Sequence, residues 1–188
     1  MTGSVRLKLL TWHAYISPVE IANATPQQLE AMKVTPSATK ISEYVRTLAH
    51  DPESYVARTV LFNAIMYAND GLNRADRELG ALVASIVNGC KFCIVTHARR
   101  YAQLAKNNDV VTSLYFNRLD EFTPRNRAIY CFAHQLTVAP SEATPNDIAA
   151  LREVGMNDVE IIDLIHAVSI FGWANRLMHV LGHAEPEK

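Results

Sequence analysis

Apolar residues along this chain recur at intervals of three and four, the spacing of helices that bury one stripe, and no stretch alternates with the period of a strand. The clearest stripe is Leu79, Leu82, Val83, Ile86 and Val87, with Asn73 placed to cap its start and Asn88-Gly89 to close its end. The same reading predicts a short helix over Pro26 to Met32 and another over Lys40 to Ala49, with Ile41, Val45 and Leu48 on one face. Asp51 and Pro52 open a helix that runs to about Asn69, burying Val56, Val60 and Ile65 until Asp70-Gly71 stops it. A helix from about Cys90 to Lys106 follows, ended by Asn107-Asn108, then a short one over Asp109 to Phe116. Thr123-Pro124 starts a helix to about Val138 with Ile129, Phe132, Ala133 and Leu136 inward, and Thr144-Pro145 starts one that stops at Gly155. Asn157 or Asp158 opens the longest helix, which reaches about Leu181. Its main face is Ile162, Ile165, Ser169, Trp173, Leu177 and Val180, backed by Ile161, Val168 and Phe171. A helix apolar on so many sides belongs in a core or at a subunit interface, so a homo-oligomer is expected. Residues 1 to about 25 keep no period and read as an extended arm, packing on a neighbour through Trp12, Tyr15 and Ile16. The fold class is therefore all-α.

Composition narrows the partners. A chain of 188 residues, 49% hydrophobic and without a long polar tract, suits one compact domain over residues 1–188. Its 18 basic and 19 acidic side chains leave a net charge of -1, which gives no electrostatic reason to expect nucleic acid or an anionic membrane. Arg6 and Lys8 precede an apolar run that Thr11 and His13 interrupt, so neither a signal peptide nor a membrane span is read there, and a cytoplasmic location is expected. Three cysteines are too few, and odd in number, for a disulfide framework. A C-x-x-C in such a chain points to catalysis or metal binding.

That C-x-x-C is Cys90 to Cys93, and it stands in the pattern E-x11-C-x2-C-x3-H with Glu78 and His97. At about 100° per helical residue, Cys90, Cys93 and His97 fall within an arc of roughly 60° on one helix face. A helix N-terminus beside a proton acceptor lowers a thiol pKa from about 8.5 to roughly 3.5 to 7.5. Cys93 and His97 are i, i+4 neighbours, so the imidazole can take the thiol proton while Glu78, from the preceding helix, orients the imidazole. A thiolate that attacks a peroxide becomes a sulfenic acid, and a second thiol condenses with it to a disulfide. The pair is a complete two-electron reducing unit that needs no cofactor.

These residues resemble those of the AhpD-like alkyl hydroperoxidases, within the carboxymuconolactone decarboxylase superfamily, and look most like its peroxidase-related branch. Chain length, the segment from Thr144-Pro145 to Gly155, and Asn175-Arg176 are also similar, whereas the likeness is weakest before about residue 40. The resemblance implies an AhpD-like helical domain with the C-x-x-C at a helix N-terminus. It implies a hydroperoxide substrate, Cys93 as the peroxidatic thiol, Cys90 as the resolving one, and Glu78 and His97 as the proton relay. It further implies a dithiol reductant, a lipoyl protein being the candidate, and assembly as a trimer or hexamer. Family members carry a histidine just before the second cysteine, where this chain has Phe92, an aromatic that would wall a more apolar pocket.

Other readings stand beside this one. Both thiols, His97 and Glu78 could close a zinc site. A decarboxylase on the same scaffold would leave both cysteines unexplained, and a non-catalytic helical assembly protein would show no thiol reactivity. Cys131, between Tyr130 and Phe132, reads as a buried structural thiol. His179 and His183 read as solvated or interface residues, and His166 and Trp173 as packing residues of the longest helix.

Overall fold

The computed structural model describes residues 5, 7–33 and 41–187. Their elements run β1 (Leu10–Ala14), α1 (Pro26–Met32), α2 (Glu43–Leu48), α3 (Pro52–Met66), α4 (Arg74–Val87), α5 (Lys91–Ala105), α6 (Asp109–Tyr115), α7 (Pro124–Val138), α8 (Pro145–Glu153), α9 (Asp158–Leu181) and β2 (Gly182–Pro186). The caps read in the sequence form as hydrogen bonds. The side chains of Asp51, Asn73 and Thr123 accept from the backbone N–H groups of Ser54, Asp76 and Asn126, and Asn157 and Glu160 close a capping box. Gly89 takes the left-handed conformation, φ 70°, that the turn between α4 and α5 requires.

Helix α4 is the axis of the molecule. It packs on α5, α7 and α9, and every residue from Asp76 to Ser85 is buried. Gly80 lets α9 approach closely, since a Cβ there would lie 2.8 Å from the Leu164 side chain. The main core gathers Leu79, Leu82, Ile129, Leu151, Leu164 and Val168 around this axis. A smaller core joins Val19, Met32, Val45 and Tyr55, and a third cluster sets Trp12 and Met178 against Cys90 and Cys93. Among the described residues no helix is long and apolar enough to cross a membrane.

Several expectations are corrected. The irregular arm contains β1, which pairs antiparallel with β2 in a two-stranded sheet, Trp12 opposite Ala184. No alternation announces these strands because a two-stranded ribbon presents no single face to the core, and its partners are remote in sequence. Trp12 is buried in its own chain, its Nε1 donating to the Met178 carbonyl at 3.2 Å, while Tyr15 and Ile16 are exposed. Helix α3 stops at Met66 and leaves Val60 exposed. Helix α2 begins at Glu43, Lys40 lies outside the described residues, and Ile41 is exposed. The face of α9 is also turned: Ile161, Leu164, Val168, Phe171 and Met178 point inward, whereas Ile162, Trp173 and Val180 are exposed. A helix apolar all round carries no stripe that selects one face.

Candidate active site

The fold brings Glu78, Cys90, Cys93 and His97 together, all four buried. Cys90 is the N-cap of α5, Cys93 lies in its first turn and His97 one turn further on, while Glu78 projects from α4. His97 Nδ1 and Glu78 Oε2 are 2.6 Å apart. Arg74, one turn before Glu78, donates to the other carboxylate oxygen through Nε at 2.9 Å and Nη2 at 2.5 Å. Burial works to raise the Glu78 carboxyl, but the hydrogen bond and charge of His97, with the charge of Arg74, outweigh it and hold it below the usual range. An ionised carboxylate only accepts, so Nδ1 carries the hydrogen, and when the ring is neutral Nε2 is its basic nitrogen. Phe171 fixes the ring edge to face, with centroids 4.2 Å apart.

The two sulfurs lie 2.7 Å apart, and both cysteines are free thiols. One proton between them can sit on either sulfur, and the surroundings decide. The Cys90 thiol is lowered to about 7, first by the hydrogen bond from Cys93 against the cost of burial, then by the Cys93 backbone N–H and the charge of His179. Cys93 is pushed up, because giving its proton to Cys90 holds it protonated and burial adds to the effect. Asn175 serves both thiols: its side chain favours the charged form of each. It is fully buried, donates to Ser85 Oγ at 3.2 Å and accepts from Asn88 Nδ2 at 3.1 Å.

Each sulfur opens on its own cavity. Cys93 and His97 line one of about 150 Å³, walled by Phe62, Phe92, Phe171 and Met178 and reached by Tyr44 and Arg58. Cys90 lines another of about 240 Å³ with Lys91, His179, His183 and Tyr15. Phe92 and Met178 belong to both, so the aromatic at the position of the family histidine is a partition between them.

Several side chains differ from expectation. Cys131 is exposed on α7. His179 and His183 are exposed, as read, and in addition border the Cys90 cavity, His179 Nε2 lying 2.8 Å from the Asn88 carbonyl and His183 stacking on Tyr15. His166 and Trp173 line a groove between α3 and α9. Among the described residues no three His, Cys, Asp or Glu side chains form a metal ligand set. Arg74 was findable from its i, i+4 spacing to Glu78, and Asn175 as an amide inside an apolar helix. Tyr44 and Arg58 carry no signal in the sequence.

Residues 52–135 match the Carboxymuconolactone decarboxylase family. A peroxidase-related protein from Ralstonia eutropha JMP134, described as an alkylhydroperoxidase AhpD core, is 27% identical, superposes with a TM-score of 0.80 and is matched over 93% of each chain. The apo structure of the debrominase Bmp8 shares the fold at 19% identity and TM-score 0.73, over 89% of this chain and 90% of that one. The uncharacterized protein YdfG of Bacillus subtilis (strain 168) is 24% identical over 118 residues, 62% of this chain and 80% of that protein.

Proposed function

We propose that the chain, matched over residues 52–135 by the Carboxymuconolactone decarboxylase family and alike in fold and sequence to an AhpD core, is a thiol-dependent peroxidase acting on alkyl hydroperoxides. The observation that carries this reading is the cavity shared by Cys93 and His97, with the imidazole held by a buried, ionised Glu78.

In the reduced protein the proton rests on Cys93. His97 Nε2 takes it, and the resulting imidazolium is balanced by Glu78. The Cys93 thiolate attacks the terminal peroxide oxygen, the O–O bond breaks, and Cys93 becomes a sulfenic acid as alkoxide leaves. Alkoxide collects the proton from His97 and departs as alcohol. The Cys90 thiolate then attacks the Cys93 sulfur, which forms the disulfide and expels hydroxide, and the hydroxide takes a proton from solvent and leaves as water. A dithiol reductant entering beside Cys90 reverses this bond by exchange and leaves oxidised. The apolar walls on the Cys93 side favour an organic peroxide over hydrogen peroxide.

The debrominase likeness supports a second reading, in which the same dithiol is oxidised to the disulfide as it supplies two electrons and a proton to a bromoarene, the carbon gains hydrogen and bromide leaves. One assay separates the two. Cumene hydroperoxide consumption with dihydrolipoamide or dithiothreitol is measured beside bromide release from a tribromopyrrole. Peroxide turnover is expected to fall roughly 10³-fold or more in Cys93→Ser, the usual scale for losing a nucleophile. Bromide release without peroxide turnover would replace the peroxidase reading.

A further inference from the structure

Two hydrogen-bond donors on the wall of the Cys93 cavity have nothing to donate to. The Tyr44 hydroxyl is buried without a hydrogen-bond partner among the described residues, and so is Nε of Arg58. Both residues line the cavity with Cys93 and His97. Buried donors in folded proteins are ordinarily satisfied, so two orphans beside one nucleophile call for an acceptor that comes and goes. Tyr44 is firmly held. Its ring meets Trp12 edge to face at 5.3 Å and packs on the cluster of Trp12, Cys90, Cys93 and Met178. Burial pushes the phenol well above its usual range, against the nearby charge of Arg58, and negative charge on either thiol pushes the same way. The hydroxyl therefore keeps its proton wherever the thiols react, and it acts as a donor. The Arg58 guanidinium lies 4.3 Å from the Phe62 ring centroid, which fixes its plane and leaves its edge for a ligand.

We propose that Tyr44 and Arg58 form the site that receives the leaving oxygen of the peroxide when Cys93 attacks. This inference rests on the peroxidase reading. In that step the Cys93 sulfur bonds to the terminal oxygen and loses two electrons. The O–O bond breaks, and the second oxygen departs with the bonding pair, to be protonated from His97. Charge develops on it only as the bond breaks, so unpartnered donors already on the wall of its cavity act on the transition state more than on the bound substrate. The substrates that gain most are alkyl hydroperoxides, whose alkoxide is a poor leaving group. A peracid, which releases a carboxylate, gains little.

The test is single-turnover oxidation of the reduced protein by tert-butyl hydroperoxide and by peracetic acid, in wild type, Tyr44→Phe and Arg58→Gln. Tyr44→Phe is expected to lose about 10²-fold with tert-butyl hydroperoxide, the scale of one oxyanion donor, and less than about fivefold with peracetic acid. Arg58→Gln should shift the ratio of the two rates in the same direction. Equal losses with both peroxides, or no loss, in a protein whose wild type reduces both would overturn the assignment of Tyr44 and Arg58 and leave the peroxidase reading standing. A wild type that reduces neither would overturn both.

Discussion

Cys90 and Cys93 are one helical turn apart, with their sulfurs 2.7 Å from each other, yet they face unlike surroundings. The Cys90 side is assembled from β1, β2 and the end of α9 and presents Lys91, His179 and His183. The Cys93 side is assembled from α2, α3, α5 and α9 and presents aromatic rings and the imidazole of His97. Under the peroxidase reading, the difference suits one dithiol to two jobs. A cationic, polar rim suits a thiol that must be reached as an anion by a reductant. A dry wall with its own base suits a thiol that must stay protonated until an apolar substrate is in place.

The comparison breaks most visibly if the base is removed from the Cys93 side alone. Glu78→Gln and His97→Gln should each slow peroxide reduction by roughly 10²- to 10⁴-fold, the usual worth of general base catalysis, with the rate recovering in alkali where Cys93 ionises unaided. Because the two act as one unit, the double variant should cost little more than the worse single one. Stopped-flow rates against pH decide it, and unchanged profiles would remove the relay.

Alkylation sharpens the comparison from the other side. Iodoacetamide should modify Cys90 before Cys93 at neutral pH, with a midpoint at about 7. Below that midpoint Cys90 takes up its proton and reactivity falls. Its chief stabiliser is the hydrogen bond from Cys93, so Cys93→Ala should move the midpoint up, toward the ordinary thiol value of about 8.5. Peptide mapping at several pH values is the measurement, and first modification at Cys93 would reverse the two roles.

The smallest effect belongs outside both sides. Cys131 is exposed on α7, so it should alkylate in the native protein, and Cys131→Ser should change turnover by less than about twofold, as surface changes do. A larger loss in a steady-state assay would bring Cys131 into the cycle.

Sequence reasoning succeeded where one local period decides the outcome. Helix α4 has known caps, so its bounds and the burial of Leu79, Leu82 and Val83 were legible, whereas Ile86 of the same stripe is exposed and Glu78, read at the border of core and surface, is buried. The spacing of Cys90, Cys93 and His97 lies within one helix and carried over in the same way. It failed where two answers cost the chain the same locally. Helix α9 is apolar on most sides, so contact with α4, α7 and α3 chooses the inward face. Cys131 was misread because its apolar neighbours in sequence, Tyr130 and Phe132, point about 100° away from it around the helix. Tyr44 and Arg58 reach the thiols through tertiary packing of α2 and α3, which no spacing records.

The ribbon of β1 and β2 has a consequence for how the protein comes into being. Trp12 and Met178, joined by a hydrogen bond across 166 positions, close the wall beside Cys90. A contact of such long range forms late, because the intervening chain must first be made and gathered. During synthesis the N-terminal parts fold first. The helix that carries Cys90 and Cys93 therefore emerges well before the segment that shelters them. Gly182 admits the Trp12 ring where any Cβ would collide with it, so this closure follows the making of the thiol helix and depends on a residue with no side chain.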